Sequence, residues 1–375
     1  MPSIPGWKDQ ILFTPGPLTT SRTVKQAMLR DLGSRDFEFI ETVRAIRNGL
    51  LAAGGVKDKG YDAIILQGSG TFSVEAVFAS TVRPGGKVLI AVNGAYGDRM
   101  LHLCKVLGIA TVEVRCPEHQ PVDPAAVKKA LHEHPGITDV ATVHCETTTG
   151  IINPIGEIGA QAHAAGAQFF VDAMSSFGAV PIDIEGARID YLVSSANKCI
   201  EGVPGFGFII ARRAAIEATD GWARSVSLDI LAQLRGLEKN GQFRFTPPTH
   251  VLLAFHQALL ELEQEGGVPG RGARYRNNYD TLVAGMRAMG FREYLPAELQ
   301  GYIITSFLYP DDPKWDFEDF YTRLNERGFT IYPGKVSNAD CFRIGNIGRI
   351  FESDVRDLLA AIRETIDAMG LQLHA

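Results

Sequence analysis

The sequence predicts an α/β protein with a large domain on a mainly parallel central sheet, followed by a smaller C-terminal α+β domain. Short apolar runs alternate with amphipathic stretches through residues 63–211, which is typical of strands covered by helices on both faces of a sheet. The 39 glycines in 375 residues supply the tight turns that this alternation needs. After residues 266–267 the pattern changes to longer helices and fewer strands, which indicates a second domain.

The elements follow from hydrophobic spacing along the chain. Turn residues predict an irregular arm over residues 1–20, and helical spacing predicts one helix over 22–53. Strands are predicted at 63–66, 88–92, 111–114, 140–143, 169–171, 191–193, 206–211, 302–307, 329–332 and 341–345. Helices are predicted at 71–82, 95–107, 124–134, 156–165, 251–265, 271–289, 316–327 and 353–369. We place the domain boundary within 256–268, which gives a large domain at 1–260 and a small one at 261–375.

Charge and composition exclude several classes of protein. The net charge of −6 gives no overall positive field for nucleic acid or acidic lipid. No apolar run reaches the ~20 residues that span a bilayer, and residues 1–8 lack the basic start and apolar run of a signal peptide. The five cysteines are scattered and form no CxxC pair, which argues against disulfides or zinc and for a reducing compartment. We therefore expect a cytoplasmic enzyme that binds no metal.

Lys198 and Asp172 are the candidate catalytic residues. Lys198 lies in the small-residue stretch 194–199, before a run rich in glycine at 202–207, and Asp172 follows the apolar run 169–171. This pattern suits pyridoxal 5'-phosphate (PLP), because the lysine holds the cofactor as a Schiff base and the acid keeps the ring nitrogen protonated. Small neighbours leave Lys198 unhindered and partly desolvated, so that its amine can be neutral near pH 7. A structural aspartate and a surface lysine are the alternatives.

A phosphate site is predicted where a strand leads into a helix at Ser69, Gly70 and Thr71. Such a junction offers free backbone N–H groups and the positive end of the helix dipole to an anion. Glycine allows close approach of the backbone, and the two hydroxyls add donors. Taken alone the signal is weak, since Gly-Ser-Gly turns are common, and the spacing is not that of a dinucleotide fingerprint.

Four further residues are candidates for contacts with the ring and the substrate. Tyr96 follows a strand and can stack on a planar ring, with a core contact as an equal alternative. Met174 is predicted on the same strand and face as Asp172, under the ring. Thr148, in a threonine cluster at a strand end, can donate to the cofactor phenolate or to substrate, with a turn as the alternative. Arg343 lies inside a β-like run, where its planar fork can bind a carboxylate or phosphonate; the alternative is an interdomain salt bridge.

Together these stretches resemble the class V aminotransferases of PLP fold type I. The resemblance extends over nearly the whole chain, and the lysine loop with its Gly-Val-Pro-Gly-Phe tail is its most specific piece. It implies ping-pong transamination of 2-aminoethylphosphonate with pyruvate by a homodimer whose active sites are shared between subunits. The resembling segments are 12–24, 146–150, 171–178, 194–200, 331–337 and 341–348.

The resemblance also implies a role for individual residues of the site. Lys198 would form the internal aldimine, and Asp172 would bind the pyridinium nitrogen. The remaining implied contacts are Gly70 and Thr71 with the phosphate, Thr148 near the ring oxygen, Thr246 with the phosphate bound by the partner subunit, Arg343 with the substrate anion, and Gly16 at the border of the substrate.

Three other functions remain as alternatives. A sister aminotransferase of the alanine–glyoxylate or serine–pyruvate type would use the same catalytic residues with a different anion pocket. A cysteine desulfurase needs a cysteine on a mobile loop, and Cys341, the only candidate, has no Gly/Ser-rich loop around it. A regulatory PLP-binding protein would need an added DNA-binding segment or an eroded site, and neither is visible. The sequence also leaves open which cation, among Arg22, Arg35, Arg44 and Lys335, neutralises the second charge of a phosphonate.

Overall fold

The computed structural model describes residues 9–373, so the first eight residues of the arm predicted over 1–20 lie outside the described residues. The strands are β1 (Ile11–Leu12), β2 (Tyr61–Gln67), β3 (Lys87–Val92), β4 (Ala110–Arg115), β5 (Asp139–Val143), β6 (Cys145–Glu146), β7 (Ile151–Ile152), β8 (Gln168–Asp172), β9 (Tyr191–Ser195), β10 (Phe206–Arg212), β11 (Ile304–Leu308), β12 (Phe329–Thr330), β13 (Tyr332–Pro333) and β14 (Cys341–Gly345). The helices are α1 (Arg22–Gln26), α2 (Phe37–Ala53), α3 (Gly70–Thr81), α4 (Ala95–Val106), α5 (Pro124–Glu133), α6 (Ile155–Ala164), α7 (Arg213–Glu217), α8 (Ile230–Asn240), α9 (Thr249–Gln264), α10 (Gly267–Ala288), α11 (Phe317–Glu326) and α12 (Glu352–Met369).

The large domain is built on a seven-stranded sheet in the order β2-β10-β9-β8-β5-β3-β4. Four of its six neighbouring pairs are parallel, and β10 is antiparallel to both β2 and β9. Apolar side chains of α2, α5, α6 and α9 pack on one face, and those of α3, α4, α7 and α8 pack mainly on the other. Because both faces are covered, the central strands are buried along nearly their whole length. The predicted fold class, with its mainly parallel central sheet, is confirmed.

The C-terminal part forms a three-stranded antiparallel sheet in the order β11-β14-β13. Its apolar face packs with α10, α11 and α12 around a cluster of aromatic rings that includes Phe342. The short strand β1 pairs in parallel with β12, so residues 11–12 of the predicted arm join this part of the molecule. The boundary at residue 260 stays a prediction, and α9 runs across it.

The single helix predicted over residues 22–53 is wrong, because the structure has two helices separated by turns at 27–36. The backbone N–H of Gly33 donates to the carboxylate of Asp36 at 2.7 Å, and this local bond competes with helical pairing. The prediction also omitted α8, whose first turn is capped by the Asp229 side chain bonding to the N–H of Ala232 at 2.9 Å. Both signals were present in the sequence as turn and N-cap residues.

Met174 was predicted on the same strand as Asp172, and this is also wrong. β8 ends at Asp172, and the N–H of Met174 donates to the Asp172 carboxylate at 2.9 Å rather than to a neighbouring strand.

Over residues 9–373, no helix has both the length and the apolar character that a membrane crossing requires. All five cysteines are free thiols.

Candidate active site

Five strands of the large sheet end at one edge, and the segments that follow them build the site. β2 and β9 are both antiparallel to β10, so they point the same way, and β8, β5 and β3 are parallel to β9. Ligands of α/β sheets bind outside the carboxyl ends of such strands. A cavity of about 170 Å³ lies at this edge. It is lined by Ser69, Gly70, Thr71, Val74, Tyr96, Arg99, Met100, Asp172, Met174, Ser175, Ser195, Asn197 and Lys198.

Lys198 lies half-buried at the end of this cavity, under the N-terminal segment. Its Nζ donates to the carbonyl of Pro15 at 2.7 Å. A Cβ added to Gly16 would lie 2.7 Å from Nζ, so the segment has no room for a side chain there. Burial lowers the pKa of Lys198 to about 8, and a neutral amine is therefore accessible near neutral pH. Gly16 therefore lies against Lys198, and its contact with the substrate stays a prediction.

Asp172 is buried and also lines this cavity. One carboxylate oxygen, Oδ1, accepts the Met174 N–H at 2.9 Å, and the other has no protein partner within residues 9–373. Burial raises the pKa of Asp172 to about 6. A buried carboxylate with a free oxygen is suited to hold a positively charged N–H group, which would lower that pKa again.

The start of α3 provides an anion cradle. Ser69 is the N-cap residue, but its side chain makes no capping bond, so the hydroxyl stays available. A Cβ added to Gly70 would lie 2.5 Å from the Met174 sulfur, so a larger residue there would require the Met174 side chain to move. The guanidinium of Arg99 donates to the hydroxyl of Thr71 at 3.2 Å. Free N–H groups, two hydroxyls and a cation therefore meet at one helix start, which favours a phosphate.

Arg99 was missed by the sequence analysis. It follows Tyr96 by three residues on α4, a spacing that places both side chains on one face of the helix. The Arg99 guanidinium carbon lies 4.9 Å from the centre of the Tyr96 ring. The signal was therefore available once Tyr96 had been singled out.

Arg343 and Lys335 approach the same tyrosine from the small sheet. Arg343 is 5% exposed, and it donates to the carbonyls of Pro333 at 3.0 Å and Thr147 at 2.9 Å. The Nζ of Lys335 lies 4.4 Å from the centre of the Tyr96 ring. The Arg343 charge also acts on the Tyr96 hydroxyl, whose pKa is nevertheless raised by burial. The interdomain salt bridge considered for Arg343 is not formed with any carboxylate of the described chain.

Thr148 is buried and is not among the residues that line the cavity. Its hydroxyl donates a hydrogen bond to Glu146 at 2.6 Å and accepts one from the N–H of Ala95 at 3.0 Å, so protein groups already use its one donor and one of its acceptor positions. Burial raises the pKa of Glu146 to about 7, and its second oxygen has no partner in the part of the chain that the structure describes. The contact of Thr148 with a ring oxygen stays a prediction.

Thr246 is exposed in the segment between α8 and α9, and it does not line the cavity of its own chain. Its carbonyl accepts a hydrogen bond from the Gln67 side chain at 2.8 Å. Phe245, the residue before Thr246, is 47% exposed. Phe72, the residue after Thr71 of the cradle, is 54% exposed. A contact of Thr246 with a second subunit therefore stays a prediction.

Comparisons with known proteins show the family to which the chain belongs. The family described as Aminotransferase class-V matches residues 20–344. A 2-aminoethylphosphonate–pyruvate transaminase of Klebsiella pneumoniae is 53% identical over 357 residues, which cover 95% of this chain and 97% of that relative. One of Salmonella typhimurium is 53% identical over 358 residues, with the same coverage. Among solved structures, the pyridoxamine–pyruvate aminotransferase of Mesorhizobium loti superposes with a TM-score of 0.89 at 26% identity, covering 98% of this chain and 95% of that one.

Proposed function

The chain belongs to the class-V aminotransferases, and we propose that it transfers the amino group of 2-aminoethylphosphonate to pyruvate, giving phosphonoacetaldehyde and L-alanine. The observation that carries this proposal is the group of cations beside Lys198. Arg99, Lys335 and Arg343 meet around Tyr96, and none has a carboxylate within 4.0 Å in residues 9–373. A site with this charge is suited to two anionic groups, a cofactor phosphate and a phosphonate substrate. The names of the 53% identical relatives support the same substrates.

The residues present fit PLP. The cradle at Ser69, Gly70 and Thr71 suits its phosphate, the free oxygen of Asp172 suits its ring nitrogen, and Lys198 lies in the same cavity. When bound, PLP would accept the electron pair released as a C–H bond of the substrate breaks.

Lys198 is the group in this cavity that can move the proton. Its lowered pKa of about 8 leaves part of the population neutral near physiological pH, and a neutral amine can accept the proton from the substrate carbon and return it elsewhere. Asp172 would hold the ring nitrogen in its charged form through a buried hydrogen bond. The Pro15 carbonyl, 2.7 Å from Nζ, orients the amine.

Arg343 is proposed to bind the anionic end of both substrates in turn. The phosphonate of the amine and the carboxylate of pyruvate carry negative charge at the same end of the molecule. Arg343 donates to two carbonyls through Nε and Nη1, and its guanidinium also interacts with the Tyr96 hydroxyl. A guanidinium held in this way offers a fixed donor to either anion without moving.

The experiment that tests the proposed function is a single turnover without pyruvate. Purified protein with bound PLP is mixed with 2-aminoethylphosphonate, and the cofactor's absorbance and the release of phosphonoacetaldehyde are followed. We expect complete loss of the yellow absorbance with one equivalent of aldehyde per site. A yellow protein that is inert to this amine but reacts with serine would instead be a sister aminotransferase.

We also propose that the protein is a homodimer with shared active sites. Thr246 is exposed beside Phe245, and Phe72 lies exposed in the first turn of α3, next to the cradle. A second copy would cover these apolar side chains and could bring Thr246 to the partner's phosphate. Sedimentation should show a dimer, and an active monomer would contradict this.

A cytoplasmic location is proposed because all five cysteines are free, and cell fractionation would test it.

A further inference from the structure

We propose that Lys335 and Arg343 together form a receptor for a dianionic head group, and that Lys335 sets the preference for phosphonate over singly charged anions. Both residues belong to one part of the small sheet, since Arg343 lies on β14 and Lys335 in the segment between β13 and β14. The inference rests on the proposed function, because it assigns the second charge of the proposed substrate to a residue. Of the four cations that the sequence left open, it selects one.

The position of Lys335 is the first observation. Its Nζ lies 4.4 Å from the centre of the Tyr96 ring, and Tyr96 lines the cavity that contains Lys198. Burial and the neighbouring charges of Arg99 and Arg343 lower the pKa of Lys335. Because the charges of Arg99 and Arg343 act on the pKa of Lys335, the three side chains lie close enough to form one cluster of cations around Tyr96.

The second observation is that this cluster lacks a full counter-charge. Arg343 and Lys335 form no ion pair with any described carboxylate. Glu146 is the acid whose charge raises the pKa of Lys335. However, Glu146 accepts a hydrogen bond from the Thr148 hydroxyl at 2.6 Å, and burial raises the pKa of Glu146 to about 7. Cations collected in a partly buried site without an acid are costly unless an anionic ligand supplies the missing charge.

The third observation separates the cations by their position. Arg99 donates to Thr71 at 3.2 Å, so it belongs to the cradle at the start of α3. Lys335 and Arg343 come from the small sheet and remain for the substrate. Two positive charges match the two charges of a phosphonate, whereas a sulfonate or a carboxylate carries only one. The preference should therefore depend on Lys335, and the shared anion contact on Arg343.

The other cations that the sequence left open do not contact the Tyr96 ring of their own chain. Arg22 and Arg35 are exposed on the surface of this chain, and Arg44 is exposed and pairs with Glu41. None of these three lies over the Tyr96 ring as Lys335 does.

The test compares two unreactive probes of matched shape, ethylphosphonate and ethanesulfonate, neither of which carries an amine. Their dissociation constants are measured calorimetrically on the PLP-loaded protein, at a pH above the second ionisation of the phosphonate. Lys335→Met keeps most of the length of the side chain and removes its charge. We expect it to weaken ethylphosphonate by about 30- to 100-fold, the range for loss of one partner of a close charge pair, with a change of less than about threefold for ethanesulfonate.

Three further variants complete the comparison. Lys335→Arg should retain the preference for phosphonate, and Arg343→Ala should weaken both probes. Lys128→Met removes an exposed lysine of α5 and should change neither constant, which controls for net charge. Equal weakening of both probes by Lys335→Met, or no weakening of either, would overturn the inference, as would a wild-type protein without a preference. Loss of the proposed function is distinguishable: a wild type that prefers ethylphosphonate but never transaminates 2-aminoethylphosphonate would overturn that function alone.

Discussion

Lys198→Ala is expected to lower turnover of 2-aminoethylphosphonate by roughly 10⁴-fold or more, because the variant loses both the amine that attaches the cofactor and the proton-transferring base. No second lysine lines the cavity in the part of the chain that the structure describes. The measurement is the single-turnover rate of the PLP-loaded protein, with the cofactor content determined by absorbance after dialysis.

The variant should remain folded, so that the loss can be assigned to chemistry. Lys198 is half-buried, and its side chain makes one hydrogen bond, to the Pro15 carbonyl at 2.7 Å. Asp172 and the cradle remain to hold the cofactor without the covalent bond, so PLP should still bind, with a changed absorbance maximum. The matched control is Lys128→Met, which should turn over at the wild-type rate. If Lys198→Ala kept more than about a hundredth of the wild-type rate, the principal base would be another group.

Much of the site could be predicted because its residues lie where strands end. Ser69, Asp172 and Lys198 each follow an apolar run, and the strands that precede them point the same way. A parallel arrangement therefore brings residues distant in sequence to one edge without any knowledge of their side-chain contacts. The alternation of strands and helices was enough to predict this arrangement, and the fold class was confirmed.

The rest of the site depends on contacts between domains, which local patterns do not contain. Lys335 lies in an irregular segment whose sequence shows no reason for it to approach Tyr96. Thr148 is a candidate because it lies in a threonine cluster at a strand end, and the sequence does not show that its hydroxyl bonds to Glu146 and to the N–H of Ala95. Buried polar groups form hydrogen bonds with whichever partners the packed chain places beside them. A single sequence gives residue types for such groups and not their partners.

Glu201→Ala is expected to lower the free energy of unfolding by about 3–5 kcal/mol, the usual result of removing one partner of a buried charge network. Glu201 is 2% exposed, and Arg271 has no exposed surface. The Oε1 atom of Glu201 accepts hydrogen bonds from Arg274 at 2.7 Å and from the Tyr275 hydroxyl at 2.6 Å. The substitution would leave two buried arginines sharing Glu265 alone. Urea unfolding at constant cofactor occupancy measures the change.

Glu201→Gln is the conservative partner of this variant. The amide oxygen can still accept from Tyr275 and Arg274, so only the charge is lost, and we expect a smaller destabilisation than with alanine. Glu201 also adopts a positive φ of 67°, which most side chains avoid. The substituted alanine would share this backbone conformation. Equal stability of Glu201→Ala and the wild type would show that the network contributes no net stabilisation.

The same network holds the segment that carries Lys198, so its loss should also affect catalysis. The Glu201 carboxylate lies 3.5 Å from the Arg271 guanidinium and 2.7 Å from that of Arg274, and Arg271 donates to the Cys199 carbonyl at 2.6 Å. Arg274 reaches across to the carbonyls of Gly348 and Ile350 at 2.6 and 2.8 Å.

These bonds join the lysine segment to the part of the chain that follows β14, the strand of Arg343. Glu201→Ala should therefore lower the single-turnover rate even where the variant is fully folded, since displacement of a catalytic group by about 1 Å can cost roughly 10²-fold. Leu358→Ala is the matched control: it truncates a fully buried side chain of α12 in the apolar cluster of the small domain, at a cost of about 2–5 kcal/mol. At a temperature where both variants are folded, slow turnover by Glu201→Ala alone would assign to the network the positioning of Lys198, whereas equal rates in the two variants would limit it to stability.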